Sequence, residues 1–194
     1  MKTMTTERKK AFDALGINPE HKAILCLDGG GIRGILTLQL LKKVEQIAGI
    51  PCYKIFDMVS GTSTGGIIAG LIALGKTAVE IDGLYRNLVT KVFKKRNWRA
   101  NRFVNPPEYD KNTYRNALRE IVGVSTTLED VCKESATDLM ITSKDITAGE
   151  ETFFTCFKGE TEFFGTYKDV LLRAAMEATM SAPTYFNPLE RFVD

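Results

Sequence analysis

Short apolar runs alternate along this chain with longer stretches whose apolar residues recur at helical spacing. The run over 23–28 is short and apolar, which predicts a buried strand. Residues 35–48 keep apolar side chains three and four positions apart, which predicts a helix that ends at Gly49. A second apolar run over 54–61 predicts another strand, and 63–74 predicts an apolar helix.

The second half of the chain continues this alternation. Its predicted elements are a helix that begins at a Thr77–Glu80 capping box and continues to about residue 92, a helix over 112–122, strands over 138–146 and 150–157, and a helix over 168–182. Residues 94–110 are read as irregular. Strands alternating with helices favour an α/β layered fold. We expect a polar lead-in with room for a short helix over 1–22, and one domain over 23–194.

Composition narrows the classes of function. The 194 residues suit one domain, and a net charge of +2 gives no indication of nucleic-acid binding. One histidine and four widely spaced cysteines argue against a zinc site, and no cofactor is expected. We interpret the cysteines as reduced thiols, with Cys26 a small buried side chain. The N-terminus has no apolar signal region, and the apolar run over 65–75 is too short to span a bilayer, so we expect a cytoplasmic protein.

Two glycine motifs suggest phosphate binding. The segment GGGIRG, 29–34, fits G-x-G-x-x-G between a strand and a helix, but no carboxylate follows the second strand to hold a ribose. The segment GLIALGKT, 70–77, fits the P-loop expression, but its four variable positions are apolar and suit the end of a buried helix. A nucleotide- or phosphate-binding module therefore stays an alternative.

A third motif, GTSTG over 61–65, places Ser63 between a predicted strand and a predicted helix. This G-x-S-x-G context is typical of a nucleophile on a tight turn, with Gly61 and Gly65 leaving room for a strained backbone. The only histidine, His21, precedes the first strand and is expected a strand's length from the serine. A carboxylate hydrogen-bonded to the serine is the remaining candidate for the base, provided that partial burial raises its pKa.

Three ordered segments, DGGGIRG (28–34), GTSTG (61–65) and SAPTYFNPLERFVD (181–194), together resemble the patatin-like phospholipases. The resemblance covers about residues 24–194. It implies a three-layer α/β/α fold with a central, mostly parallel sheet. It also implies a Ser–Asp dyad, as in the calcium-independent phospholipases A2, and no metal.

The resemblance assigns a role to each matching residue. Ser63 matches the nucleophile, and Asp194 matches the dyad aspartate, which in the family begins an Asp-Gly-Gly or Asp-Gly-Ala motif. We therefore expect the domain to continue beyond Asp194. The oxyanion-hole loop is matched by Gly29, Gly30, Gly31 and Arg33.

The expected activity is hydrolysis of fatty acyl esters through an acyl-serine. A thioesterase or an acyltransferase could use the same serine, and a catalytically silent scaffold is the remaining class. The segment 91–102 carries six basic residues beside Phe93 and Trp98, which suits either a peripheral contact with an anionic membrane surface or a solvated loop. Aromatic residues over 153–164 suit the core better than an acyl tunnel. The expected partner is a phospholipid or another lipid ester, with no nucleic acid.

Overall fold

The computed structural model describes residues 4–92, 111–158, 163, 164, 166–182 and 189. The helices are α1 (Thr6–Leu15), α2 (Gly34–Ala48), α3 (Cys52–Ile55), α4 (Thr64–Ala73), α5 (Ala78–Val92), α6 (Lys111–Val122), α7 (Leu128–Glu134) and α8 (Leu172–Met180). The strands are β1 (Ile24–Leu27), β2 (Met58–Thr62), β3 (Asp138–Asp145), β4 (Glu150–Lys158) and β5 (Phe163–Phe164). One 3₁₀ turn covers Gly31–Arg33.

The strands form one sheet in the order β1-β2-β3-β4-β5. β1, β2 and β3 run parallel, so their carboxyl ends meet at one edge. β4 and β5 add antiparallel strands beyond β3. The predicted α/β class with a parallel centre is therefore confirmed, and the loops that follow β1 and β2 are brought side by side.

Helix α4 lies at the centre of the main core. All ten of its residues are buried, and it packs against β1, β2 and β3, with α8 alongside. A Cβ on Gly70 would overlap Met176 of α8, so glycine at this position allows the two helices to approach closely. The predicted buried helix is confirmed, and the segment 70–77 is the end of α4 and the turn after it rather than an open phosphate loop.

Several parts of the predicted secondary structure are wrong, among them the last helix, which begins at Leu172 and not at residue 168, and β5, which was not predicted. Residues 54 and 55 belong to the short helix α3, and β2 begins only at Met58. The carboxylate of Glu45, seven positions earlier in the chain, accepts a hydrogen bond of 2.8 Å from the backbone N–H of Cys52, one of the unpaired donors in the first turn of α3. Helix α7 was not predicted, although Thr127 and Asp130 form its capping box.

Two expectations about the cysteines are also wrong. Cys26 is exposed, because β1 alternates and turns Ile24 and Cys26 away from the core while Leu27 is buried. Cys132 of α7 and Cys156 of β4 are joined in a disulfide, with their Cα atoms 5.3 Å apart. Sequence spacing could not indicate this pair, since the two residues are 24 positions apart and meet only when α7 packs on the sheet.

Helix α1 lies over a second, smaller core. Phe12 and Ala11 are fully buried and pack with Ala23, Ala48 and Ile55. The helix begins after Thr5, whose hydroxyl accepts a hydrogen bond from the N–H of Arg8, and ends at Gly16 in the left-handed conformation. The short helix expected in the N-terminal segment is therefore present and packed.

Candidate active site

Ser63 lies on a strained turn between β2 and α4. Its backbone has φ 55° and ψ −124°, a conformation that non-glycine residues rarely adopt. Such strain persists only where the surrounding structure enforces it, and it is found mostly at functional sites. The predicted strand–turn–helix context of GTSTG is confirmed.

Close backbone packing explains the glycines on either side of the serine. A Cβ on Gly61 would overlap the carbonyl of Gly65, and a Cβ on Gly65 would overlap the carbonyl of Leu27 in β1. A Cβ on Gly66 would lie 2.9 Å from the Thr179 Cγ2 atom. The turn can therefore close against β1 and α8 only where side chains are absent.

The glycine loop after β1 borders Ser63. Because β1 and β2 are parallel neighbours, the segment that begins at Asp28 leaves the sheet beside the turn. A Cβ on Gly29 would lie 2.9 Å from the Ser63 Cβ atom and 3.6 Å from its Oγ atom. The structure thus brings Gly29 against Ser63.

Hydrogen bonds fix the path of the next residues of this loop. The N–H of Gly30 donates to the Thr64 hydroxyl over 3.1 Å, and the carbonyl of Gly30 accepts from the N–H of Arg33 over 3.1 Å. The Arg33 side chain also turns back to the Gly30 carbonyl, with its Nε atom 3.4 Å away. The Tyr85 hydroxyl donates to the carbonyl of Gly31 over 2.5 Å.

Helix α8 supplies the direct partners of Ser63. The backbone N–H of Ser63 donates to the Thr179 hydroxyl over 2.7 Å, and its hydroxyl donates to the thioether of Met180 over 3.3 Å. A thioether is only a weak acceptor, so the hydroxyl is held loosely. Thr64, Tyr85 and Thr179 were missed by sequence reasoning, because local patterns carry no information about such long-range contacts.

A cleft of about 730 Å³ opens beside the turn. Thr62 and Thr179, which flank Ser63, form part of its wall, together with Phe153, Phe154 and Tyr167. Phe154 is fully buried, whereas Phe153 is 40% exposed. The aromatic segment therefore serves both as core and as cleft wall.

The structure does not bring His21 or Asp57 to Ser63. His21 is exposed and lies before the start of β1, at the edge of the sheet opposite the turn. Asp57 lies before β2 and pairs with Arg8 over 2.5 Å and with Lys22 over 3.5 Å. Asp194 and residues 93–102 of the basic segment lie outside the described residues.

The described residues contain neither a cluster of metal ligands nor a membrane-spanning helix. No three histidine, cysteine, aspartate or glutamate side chains within 4–92, 111–158 and 166–182 come close enough together to hold a metal ion. In the same part of the chain, no helix combines the length and the apolar character that crossing a membrane requires.

Comparison with known proteins identifies the family. Residues 25–194 match the family described as patatin-like phospholipase. The chain belongs to the patatin-like phospholipase family. A cGAMP-activated phospholipase of Vibrio cholerae is 33% identical over 181 residues, which is 85% of this chain and 49% of that protein. The 85/88 kDa calcium-independent phospholipase A2 of Rattus norvegicus is 30% identical, over 96% of this chain and 24% of that protein.

The solved structure of VipD from Legionella pneumophila shares the fold. It matches with a TM-score of 0.57 at 18% identity, over 89% of this chain and 44% of VipD. The predicted patatin-like fold is therefore confirmed. This patatin-like chain spans about half the length of the Vibrio relative and about a quarter of the rat one.

Proposed function

We propose that the protein hydrolyses fatty acyl esters of phospholipids with Ser63 as the nucleophile. The observation that carries this proposal is the strained backbone of Ser63, φ 55° and ψ −124°, against the glycine loop. Its chain neighbour Thr62 and its hydrogen-bond partner Thr179 line the cleft. A serine with a strained backbone, beside a glycine loop, is typical of a nucleophile in covalent catalysis. Membership in a phospholipase family supports the substrate class.

The proposed reaction has two steps. Ser63 Oγ attacks the ester carbonyl while the Asp194 carboxylate accepts the hydroxyl proton. The C–O bond to the glycerol breaks, and Asp194 returns the proton to the leaving oxygen. Water then attacks the acyl-serine, with Asp194 accepting and returning one proton, and the fatty acid is released. The role of Asp194 rests on its match to the family motif.

The glycine loop would stabilise the oxyanion, as its match to the family motif implies. The Gly30 carbonyl faces Arg33, and a trans peptide points its N–H in the opposite direction, so the Gly31 N–H is directed away from Arg33. The Gly30 N–H is engaged by Thr64. Of the Gly29–Gly31 amides, we therefore favour Gly31 as a donor. Removal of one such donor typically costs about 10²–10³ in rate.

The cleft would take the acyl chain. Its volume of about 730 Å³ falls within the roughly 300–1,000 Å³ typical of small-molecule sites. Phe153, Tyr167 and Leu189 give it apolar wall area, and Thr62 and Thr179, which flank Ser63, belong to the same wall. An acyl chain bound there would bring its ester group towards the turn.

Replacement of the serine tests the proposal. Ser63→Ala should abolish hydrolysis of a phospholipid ester and labelling by a fluorophosphonate, while circular dichroism and melting temperature stay close to wild type. The matched control is Ser125→Ala, at an exposed position between α6 and α7, which should keep both activities. Full labelling of Ser63→Ala would refute the assignment of the nucleophile.

Substrate competition separates the related acyl-transfer activities. One assay can compare the rate of hydrolysis of a phosphatidylcholine with that of an acyl thioester. The same assay with a lysolipid added measures transfer of the acyl group to that acceptor. A Ser63-dependent preference for the thioester, or transfer to the acceptor in place of water, would keep the serine chemistry but change the proposed reaction.

We also infer that a cyclic nucleotide raises the activity. The support is the Vibrio relative, which is named for activation by cGAMP and aligns over 85% of this chain. Hydrolysis by the complete protein should increase when cGAMP is added and stay at the basal rate with AMP. Equal rates with and without cGAMP would remove this part of the proposal.

A contact with the membrane surface is the remaining expectation. Lys91, the first residue of the basic segment, is exposed and pairs with Glu120 over 2.7 Å. Binding to vesicles containing anionic lipid should weaken as salt is raised, because such attraction is screened. No binding to the anionic vesicles would argue that the segment is only a solvated loop, and equal binding to neutral vesicles would exclude electrostatic attraction as the cause.

A further inference from the structure

Two buried hydroxyl groups lie behind the glycine loop and have no assigned role. Thr64, the first residue of α4, is 1% exposed, and Tyr85, on α5, is also 1% exposed. Thr64 follows Ser63 directly in the chain. The Tyr85 hydroxyl lies against Gly34, where a Cβ would overlap it, so glycine at the start of α2 makes space for the phenol.

The two hydroxyls contact neighbouring residues of the glycine loop. The N–H of Gly30 donates to Thr64 Oγ1, and the Tyr85 hydroxyl donates to the carbonyl of Gly31. Thr64 therefore acts as an acceptor for the loop and Tyr85 as a donor to it.

The two hydrogen bonds hold adjacent residues of the glycine loop, one at the Gly30 N–H and the other at the Gly31 carbonyl. Burial raises the pKa of the Tyr85 phenol, and the nearby Thr64 hydroxyl acts in the opposite direction. The phenol therefore stays protonated at neutral pH and remains a donor to the carbonyl.

Orientation of the loop peptides follows from these bonds. Gly31 has φ 54°, a conformation that glycine adopts readily, and its neighbouring peptides could rotate if they were not held. With the Gly31 carbonyl fixed on Tyr85, the N–H of the same peptide, that of Ile32, points away from α5. A small rotation here would displace the amide donors relative to Ser63.

We propose that Thr64 and Tyr85 are positioning residues, which hold the Gly30 and Gly31 peptides in the orientation that serves the acyl-enzyme reaction at Ser63. The inference rests on the proposed function. Neither side chain touches the substrate. Both act by keeping the glycine loop fixed on α4 and α5, and small misplacements of catalytic groups lower kcat more than they change KM.

The test removes each hydroxyl without changing its shape. Tyr85→Phe and Thr64→Val in the complete protein should each lower kcat by about 10- to 100-fold with little change in KM. Thr64→Ser, which keeps the hydroxyl, should retain most of kcat. Because both hydroxyls hold the same short loop, the double variant should lose less than the product of the two single losses.

Tyr114→Phe is the matched control. Tyr114 is equally buried, and its hydroxyl donates to the carbonyl of Met176 over 3.1 Å, away from the glycine loop. This variant loses a comparable buried hydrogen bond, so its melting temperature should fall by a similar amount. Its kcat should stay at the wild-type value.

Hydrogen exchange provides a readout that does not depend on activity. Amides within 28–34 should exchange faster in Tyr85→Phe and Thr64→Val than in wild type or Tyr114→Phe. Wild-type exchange, or a kcat equal to that of Tyr114→Phe, would overturn the inference. If no Ser63-dependent hydrolysis is found, the proposed function fails, and the exchange measurement alone decides whether the two hydroxyls hold the loop.

Discussion

The Thr179 hydroxyl accepts a hydrogen bond of 2.7 Å from the backbone N–H of Ser63, across 116 positions of the chain. Thr179 belongs to α8, whereas Ser63 joins β2 to α4. The strained turn is therefore held from two sides, by the glycine loop after β1 and by the last described helix. Correct packing of α8 is a condition for the geometry of the serine.

Replacing Thr179 tests whether its hydrogen bond holds the Ser63 turn. Thr179→Val leaves the Ser63 N–H without its acceptor, which should lower the free energy of unfolding by about 1–3 kcal/mol. Fluorophosphonate labelling of Ser63 should also slow. Thr179→Ser keeps the acceptor and loses only the methyl group near Gly66, so it should label at close to the wild-type rate.

Urea unfolding and labelling kinetics of both variants provide the comparison. A Thr179→Val protein that matches wild type in both would show that the hydrogen bond does not hold the turn.

The turn glycines should tolerate no side chain. In Gly61→Ala and Gly65→Ala the new Cβ would overlap backbone carbonyl groups, which cannot move aside as a flexible side chain does. We expect a loss of roughly 1–3 kcal/mol or more in the free energy of unfolding, as in overpacked cores. Gly83→Ala is the control, because the exposed Gly83 lies within α5 with no atom near its Cβ position.

Alanine at Gly83 should stabilise the protein by up to about 1 kcal/mol, since it favours the helix. Thermal unfolding ranks the three variants. Equal melting temperatures for Gly61→Ala and Gly83→Ala would contradict the steric argument.

The ion pair of Arg8 and Asp57 should make stability depend on pH. Burial alone would raise the pKa of Asp57, but the hydrogen bond from the Ala23 N–H and the guanidinium of Arg8 outweigh it, so the pKa lies below its usual value. The contribution is thus fully present above the unfolded pKa, which is about 4, and is lost as pH falls through the lower folded pKa. The free energy of unfolding should fall as the solution is acidified below about pH 5.

Removal of the Arg8 guanidinium should make the free energy of unfolding depend less on pH. Arg8→Met leaves Asp57 without its buried partner and should cost about 3 kcal/mol at pH 7, with a smaller further loss on acidification. Lys9→Met removes the same charge from an exposed position on α1 and should change little. Denaturant unfolding of the two variants between pH 3 and 7 measures these losses, because the range includes the pKa of about 4 that an aspartate has in the unfolded chain. An unchanged slope in Arg8→Met would rule out this pair as its source.

Most of the fold follows from local patterns in the sequence. Runs such as 23–28 and 138–146 form strands, and the capping box of Thr77 and Glu80 begins α5 as expected. The error at 54–57 arose because an apolar run suits either a strand or a helix. The Glu45 carboxylate, which accepts from the Cys52 N–H at the start of α3, favours the helix, and the apolar pattern of 54–61 carries no sign of that contact.

The candidate site was predictable only in part. The turn serine and the glycine loop stand out because strained backbone and close approach require particular residue types, at Ser63, Gly61 and Gly65. The supporting hydroxyls of Tyr85 and Thr179 do not stand out, because any buried tyrosine or threonine looks the same in a sequence. Their role depends on which carbonyl or N–H the fold brings to them.

The disulfide of Cys132 and Cys156 gives a prediction about thiol counts. Cys26 is exposed and should react with a thiol reagent in the folded protein. Cys52 is buried, and burial together with the neighbouring Glu45 raises the pKa of its thiol, so it should react only after unfolding. Native protein should therefore show one reactive thiol, unfolded protein two, and reduced unfolded protein all four.

Reduction should also lower stability, since the disulfide closes a loop across 24 positions between α7 and β4. The chain-entropy argument gives a loss of about 3 kcal/mol in the free energy of unfolding. Cys132→Ala should show the same loss and no further response to reductant, whereas Cys26→Ala should behave as wild type. Four reactive thiols in protein unfolded without reductant would show that the two sulfurs are not bonded, and the link between α7 and the sheet would then rest on packing alone.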